Sequence, residues 1–140
     1  MVRVALLDWE EAEPAAAPLR FAIFVKTKQT EGIEVDDRDK ECVHALAYDE
    51  AGKPIGTARM LPDGQIGRMA VAEEWRRRGV GAALLEALVA EATRRGYKDV
   101  SLNAPLQAAE FYRNQGFVAE GKVRPVGGVL QQAMRKPLGA

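Results

Sequence analysis

The chain opens on a short alternating segment. In residues 2–7 (V-R-V-A-L-L) Val2, Val4 and Leu6 share one face, which predicts a first strand. Glu10 to Pro18 reads as a loop or ragged helix start, after which Leu19, Ile23 and Phe24 fall at helical spacing within Leu19 to Val25. Gln29 to Lys40 has no period and reads as loop or broken helix. Val43 to Tyr48 reads as a strand, Asp49-Glu50-Ala51-Gly52 supplies turn chemistry, and Pro54 to Leu61 makes the return strand of a hairpin. Pro62-Asp63-Gly64 signals a second turn before the strand Gln65 to Val71. Short turns between these strands predict an antiparallel meander.

The period then lengthens to that of a helix. Leu84, Leu85, Leu88, Val89 and Ala92 form one stripe, while Glu86, Glu91, Arg94 and Arg95 face away. Glu91 and Arg95 are an i,i+4 pair, and Gly96 stands where a left-handed C-terminal cap belongs. Asp99 to Asn103 alternates as a strand. Pro105 suits the first turn of a helix reaching Gln115, with Gly116 as its terminator. Phe117 onward returns to strand, Gly127-Gly128 breaks it, and Val129 to Arg135 makes the last strand. The order β–α–β–β–β–α–β–α–β(–β) predicts one α+β domain over residues 1–140, a mixed and mostly antiparallel sheet of six to seven strands flanked by helices. Its strand–helix–strand step is a parallel crossover, where strand ends meet a helix N-terminus and ligands tend to sit.

Composition narrows the function classes. A hydrophobic fraction of 47% and a charged fraction of 29% belong to a folded globule. Twenty Lys+Arg against twenty Asp+Glu argue against a general grip on nucleic acid or an anionic membrane. Cys42 is the only cysteine and His44 the only histidine, which excludes an intrachain disulfide, a cysteine cluster and His-pair metal motifs, so no metal is expected. The apolar run Val4 to Leu7 is broken by Asp8 and is too short for an export signal. No stretch approaches the roughly 18 uncharged apolar residues of a membrane span. A soluble cytoplasmic protein is expected. Charge is nevertheless separated locally. Residues 31–50 hold eight acids (Glu31, Glu34, Asp36, Asp37, Asp39, Glu41, Asp49, Glu50) against Arg38 and Lys40, a charge of −6 that reads first as a solvated face. Residues 75–79 read W-R-R-R-G, three cations and no anion.

That basic turn sits at the crossover. The strand I66-G-R-M-A-V71 is followed by A-E-E-W, then R76-R-R-G-V-G-A-A83, which opens the amphipathic helix. About four N–H groups at a helix N-terminus lack intrahelical partners, and the macrodipole adds about half a positive charge. Gly79 and Gly81 remove the Cβ atoms that would keep a bulky anion away, and Arg76, Arg77 and Arg78 add charge at the rim. These features suit a diphosphate. A dinucleotide fingerprint needs a third glycine where Leu84 stands, and a P-loop's Gly-Lys-Ser/Thr ending is absent. A helix with a glycine-rich start and a solvated basic turn is the bland alternative.

The pattern Arg76-Arg77-Arg78-Gly79-Val80-Gly81 resembles the acetyl-CoA loop, [Q/R]-x-x-G-x-[G/A], of the GNAT superfamily of N-acetyltransferases. Phe111-Tyr112-Arg113-Asn114-Gln115-Gly116-Phe117 matches the family's F-Y-x-x-x-G-F in order and spacing. The resemblance spans Val2 to Met134. The segment Phe24-Val25 through Glu34 and Asp36 to Val43-His44 also looks like the ElaA/YjcF-like branch, although Lys26-Thr27-Lys28-Gln29 stands where that branch often has Glu-Gln. The resemblance implies the acyl-CoA N-acyltransferase fold, with acetyl-CoA as co-substrate and a small-molecule or peptide amine as acceptor. It implies that the backbone from Arg77 through Ala82, Val80 included, holds the diphosphate, that Met69, Ala70 and Val71 pair with the pantetheine arm, and that Asn103 bonds its amides. The strands flanking the crossover must splay to admit the arm. Tyr112 is implied as general acid to the leaving thiolate, with Phe111 beside it, and an amide near Val71 as the oxyanion donor.

The general base is less defined. Residues 66–71 hold no carboxylate, and the candidates are His44, Glu34 and Asp36, acting directly or through water. His44 lies in an apolar strand, where a lone histidine is more often a satisfied core residue. Arg59 and Arg68 either face the acceptor pocket or pair with the acidic stretch. Three readings follow: an acetyl-CoA-dependent N-acetyltransferase, a catalytically weak acyl-CoA sensor, and a nucleic-acid module, the last disfavoured by zero net charge. Families of this type are often homodimers, and strand 129–135 offers an edge.

Overall fold

The first helix begins well before the spacing places it. A computed structural model describes residues 2–26 and 37–139. Strand β1 (Arg3–Leu7) leads directly into α1 (Trp9–Lys26). Asp8 starts the helix: its Oδ1 accepts the Glu11 N–H and its carbonyl the Ala12 N–H, both at 2.9 Å. Residues 10–18, expected as loop or a ragged helix start, are helical; Pro14 and Pro18 lie one turn apart on the exposed face and free only the carbonyls of Glu10 and Pro14, both exposed residues. The opposite face buries Trp9, Ala12, Ala16 and Arg20.

Strands β2 (Val43–Tyr48), β3 (Pro54–Met60) and β4 (Ile66–Val71) form the expected meander, giving a sheet in the order β1-β2-β3-β4. Helix α2 (Val80–Arg94) then crosses to β5 (Asp99–Pro105). Its buried stripe is Val80, Leu84, Leu85, Leu88 and Ala92. It ends as the sequence predicts, with Gly96 at φ +81° and the Tyr97 N–H reaching back to the Ala92 carbonyl at 3.0 Å. The first sheet is covered on both faces. Leu46 packs with Trp9, Ala12 and Ala16 of α1, while Ala45, Ala47 and Ala58 join the larger core with α2. Small residues let α2 approach closely; a Cβ on Gly56 would stand 2.9 Å from Val80 Cγ1.

The C-terminal third departs from expectation. Pro105 closes β5 instead of opening a helix, a 3₁₀ turn follows at Leu106–Ala108, and α3 spans only Ala109–Asn114. The strand expected after Phe117 shrinks to β6 (Val118–Ala119), joined by β7 (Arg124–Val126) and β8 (Val129–Pro137). Strand β8 pairs with β5 along its length and with β6 and β7. The α+β expectation holds, but the described residues form two four-stranded sheets, not a single sheet of six or seven strands.

A bulge interrupts β4, the last strand of the first sheet. Thr57 pairs with Ala70 and Arg59 with Gly67, so Arg68 and Met69 oppose Ala58 alone. Arg68 adopts φ +53°, a left-handed conformation uncommon for a long side chain. A parallel bridge, Gln65–Ser101, joins β4 to β5 below the bulge. Above it the strands part, which is the splay the family resemblance requires. No helix among the described residues is long and apolar enough to cross a membrane.

Candidate active site

The parted strands open onto the start of α2. Gly79, the N-cap, sits at φ +83°, where a side chain would be strained, and Arg77 before it at φ +63°. No side chain caps this helix among the described residues, and the backbone bond from the Ala83 N–H to the Gly79 carbonyl is 3.0 Å. The amides of Val80, Gly81 and Ala82 lie ahead of that bond, so their N–H groups have no helical acceptor. A Cβ on Gly81 would come to 3.6 Å from Phe111 Cζ and 3.8 Å from Met69 Sδ, so its absence widens the space between the helix, β4 and α3.

The resulting cleft has a volume of about 680 Å³. One wall is Met69, Ala70 and Val71, the second Arg76, Arg77, Gly79, Gly81 and Ala82, and the third Pro105, Gln107, Ala108, Phe111 and Tyr112. Ile23 of α1 completes it. In the β3–β4 ladder the Ala72 N–H bonds to the Ile55 carbonyl at 2.8 Å and Thr57 pairs with Ala70. Antiparallel alternation therefore turns the N–H and C=O of Val71 away from β3, toward the cleft. The Arg76 Nε–H donates to the Val71 carbonyl at 3.3 Å, tying the basic turn to the strand end.

Most of the expected coenzyme-binding positions thus meet in one place, and four candidates do not. Arg78 stacks its guanidinium 5.2 Å from the Trp75 ring centroid and does not line the cleft. Val80 contributes its amide, but its side chain is core. Asn103 is exposed opposite Ala133 and is not a lining residue, because β5 runs on to Pro105 and places Pro105 and Gln107 at the cleft instead. His44 is wholly buried elsewhere. Glu34, with Asp36, lies outside the described residues. Ile23, Pro105, Gln107 and Ala108 lie outside the expected set, and the spacing of Gln107 and Ala108 from Tyr112, about one helical turn, is the sequence feature that points to them.

Tyr112 is the cleft's titratable group best placed for chemistry. Its ring meets Phe111 at 5.0 Å and Phe117 at 5.9 Å between centroids, both edge-on, and burial pushes its pKa up to about 12. The phenol therefore keeps its proton through and well above neutral pH. No carboxylate lines the cleft among the described residues.

His44 belongs to a buried polar network under α1, which corrects its expected role as a base. Because a carbonyl only accepts, the proton is on Nε2, which donates to the Asp39 carbonyl at 2.9 Å, and the ring lies 4.8 Å from that of Trp9. Arg20 grips the Asp39 carboxylate with two bonds of 3.0 Å, and Arg59 adds one of 2.9 Å, so Arg59 pairs with the acidic stretch. Burial holds the His44 pKa below its ordinary value, with the nearby Arg20 and Arg59 charges acting the same way. The folded protein thus resists protonating His44 while the unfolded chain accepts a proton near pH 6.5. Stability contributed this way is present above about pH 6.5 and is lost as pH falls through the lower folded pKa. Thermal midpoints measured from pH 7 down to 5 should fall in the parent chain and fall less in His44→Gln; equal slopes would contradict this placement.

Comparison with known proteins agrees with the geometry. Residues 14–138 match the Acetyltransferase (GNAT) domain, and the chain belongs to that family; it is an acyltransferase. It is 33% identical over 112 residues, 77% of this chain and 79% of the relative, to the uncharacterized N-acetyltransferase YjcF of Bacillus subtilis. Among solved structures, Escherichia coli ElaA superposes with a TM-score of 0.84 at 24% identity, covering 97% of this chain and 99% of that one. An acyl-CoA N-acyltransferase from Pseudomonas aeruginosa gives the same TM-score, identity and coverage. These last two likenesses establish the acyl-CoA N-acyltransferase fold.

Proposed function

We propose that this protein transfers an acetyl group from acetyl-CoA to a primary amine, on a small molecule or a peptide, by direct attack within a ternary complex. The observation that carries this reading is the uncapped start of α2 facing the open edge of β4 across a cleft that also holds Tyr112. The amides of Val80, Gly81 and Ala82, with Arg76 and Arg77 at the rim, hold the diphosphate. Met69 to Val71 lay their backbone along the pantetheine arm as an added strand would. When bound, the co-substrate supplies a thioester, a carbonyl activated toward amines with a tolerable leaving group. The Val71 N–H faces the cleft from a rigid ladder, and a fixed donor at the carbonyl oxygen stabilises the charge that grows there. Tyr112 hydrogen-bonds the departing sulfur.

Supply of the neutral amine rests with solvent or with Glu34 and Asp36. Solvent alone suffices for an amine of pKa near 8, at a cost of roughly 1 kcal/mol at pH 7, against roughly 4–5 kcal/mol for a lysine side chain. Free thiol released from acetyl-CoA should be measured against amines and peptides graded by pKa; acceptor-dependent release is expected. A second reading, an acyl-CoA sensor, draws on the absence of a carboxylate from the described cleft. Tight coenzyme binding with no thiol release from any acceptor would establish it instead. Tyr112→Phe is expected to lower kcat by about 10- to 100-fold with coenzyme affinity unchanged, because a thiolate of pKa near 8.5 leaves tolerably without help. Parallel calorimetry and initial rates on that variant check both halves.

A further inference from the structure

The Tyr112 hydroxyl is part-buried against a sulfur atom. It donates to Met69 Sδ at 3.7 Å, the acceptor it has among the described residues. A thioether is a weak acceptor, yet a buried hydroxyl with none is costly. The same sulfur stands within 3.8 Å of where a Gly81 Cβ would lie, so it projects into the cleft between α3 and α2 and is not packed away behind β4. Met69 is partly buried, and methionine is unbranched with three rotatable bonds, so a change of rotamer removes the sulfur without disturbing the strand.

We propose that Met69 is a placeholder for the coenzyme's sulfur: in the free protein its thioether occupies the position against Tyr112 that the coenzyme sulfur takes on binding, and it swings aside only when that sulfur arrives. This rests on the reading of the cleft as a coenzyme A site. The exchange is sulfur for sulfur, a weak acceptor giving way to one that becomes strong as negative charge grows on it. Tyr112 is thereby satisfied in both states. Met69 acts through Tyr112 as a positioning residue. A ligand that fills the diphosphate cradle but lacks the sulfur has nothing to offer Tyr112 and leaves Met69 in place.

The test compares coenzyme A with desulfo-coenzyme A, using protein labelled with ¹³C at the methionine methyl groups. The chain has four methionines; Met60 and Met134 are buried in the core, and Met69→Leu identifies the Met69 signal by its loss. Binding of each ligand is measured by titration calorimetry in parallel. Expected is a large shift of the Met69 methyl signal with coenzyme A and little or none with desulfo-coenzyme A, although both bind. In Met69→Leu, which has no thioether to displace, the preference for coenzyme A over desulfo-coenzyme A should rise about two- to five-fold above the parent chain's, a range expected of one weak hydrogen bond. Both ligands binding with no shift, or with the same shift, would overturn the placeholder and leave the cradle intact. Failure of both ligands to bind would remove the cradle itself, and the placeholder with it.

Discussion

Gly81→Leu is expected to weaken coenzyme A binding by at least about 100-fold, some 2.7 kcal/mol, while leaving the thermal midpoint no lower than the parent's. The two halves have separate causes. Position 81 lies in the first turn of α2, and glycine there is poorer for the helix than alanine by roughly 0.5–1 kcal/mol. A Cβ alone meets Phe111 and Met69 at ordinary contact distances of 3.6 and 3.8 Å, so Gly81→Ala should fold at least as well and lose only part of the affinity. Gly81 lines the cleft, so the further atoms of leucine take up space there beside Phe111 and Met69. A structural glycine would show the reverse, a lower midpoint with affinity preserved in whatever remains folded. Calorimetric titration beside a thermal scan separates these, and parent-like affinity in Gly81→Leu would remove the diphosphate from the start of α2.

The parts of this molecule legible beforehand are those encoded by local pattern. The α2 stripe, its Gly96 terminator and the Gly79–Gly81 opening depend on neighbours within a few residues, and the structure has them where the spacing puts them. The start of α1 is not legible from spacing, because Pro14 and Pro18 are tolerable only on the exposed face that the packed structure gives them. The bulge at Arg68 leaves no mark at all, since the residue in the left-handed conformation is an arginine and not a glycine. It lies in the strand that walls the cleft, just beyond the Gln65–Ser101 bridge to β5. Strand β5 runs two residues past Asn103, enough to put Pro105 at the cleft in its stead. The acidic stretch read as a solvated face, yet Asp39 within it is fully buried, because its partners Arg20 and Arg59 arrive from a helix and a strand remote in sequence.

That buried carboxylate sets the largest expected effect on stability. Asp39→Ala should cost about 3–5 kcal/mol, because it leaves two guanidinium groups under α1 without the carboxylate between them. Arg20→Met should cost less, since Asp39 keeps its 2.9 Å bond to Arg59 and the aliphatic replacement still packs near Trp9, above which the Arg20 guanidinium lies at 5.1 Å. Burial pushes the Asp39 carboxyl toward protonation, but Arg20 and Arg59 outweigh it and hold the group below its ordinary value. Its contribution is therefore present above the ordinary carboxylate range and is lost as pH falls through the lower folded pKa. Denaturant unfolding at pH 7 orders the variants, and an Asp39→Ala loss smaller than that of Arg20→Met would show that the carboxylate is not the centre of the network. The consequence reaches the cleft through α1. Arg20 lies one turn before Ile23, which lines the cleft, so the ion pair that fixes the helix on the sheet also fixes that wall. Asp39→Ala protein that remains folded should bind coenzyme A more weakly than Arg20→Met does, although neither residue touches the cleft.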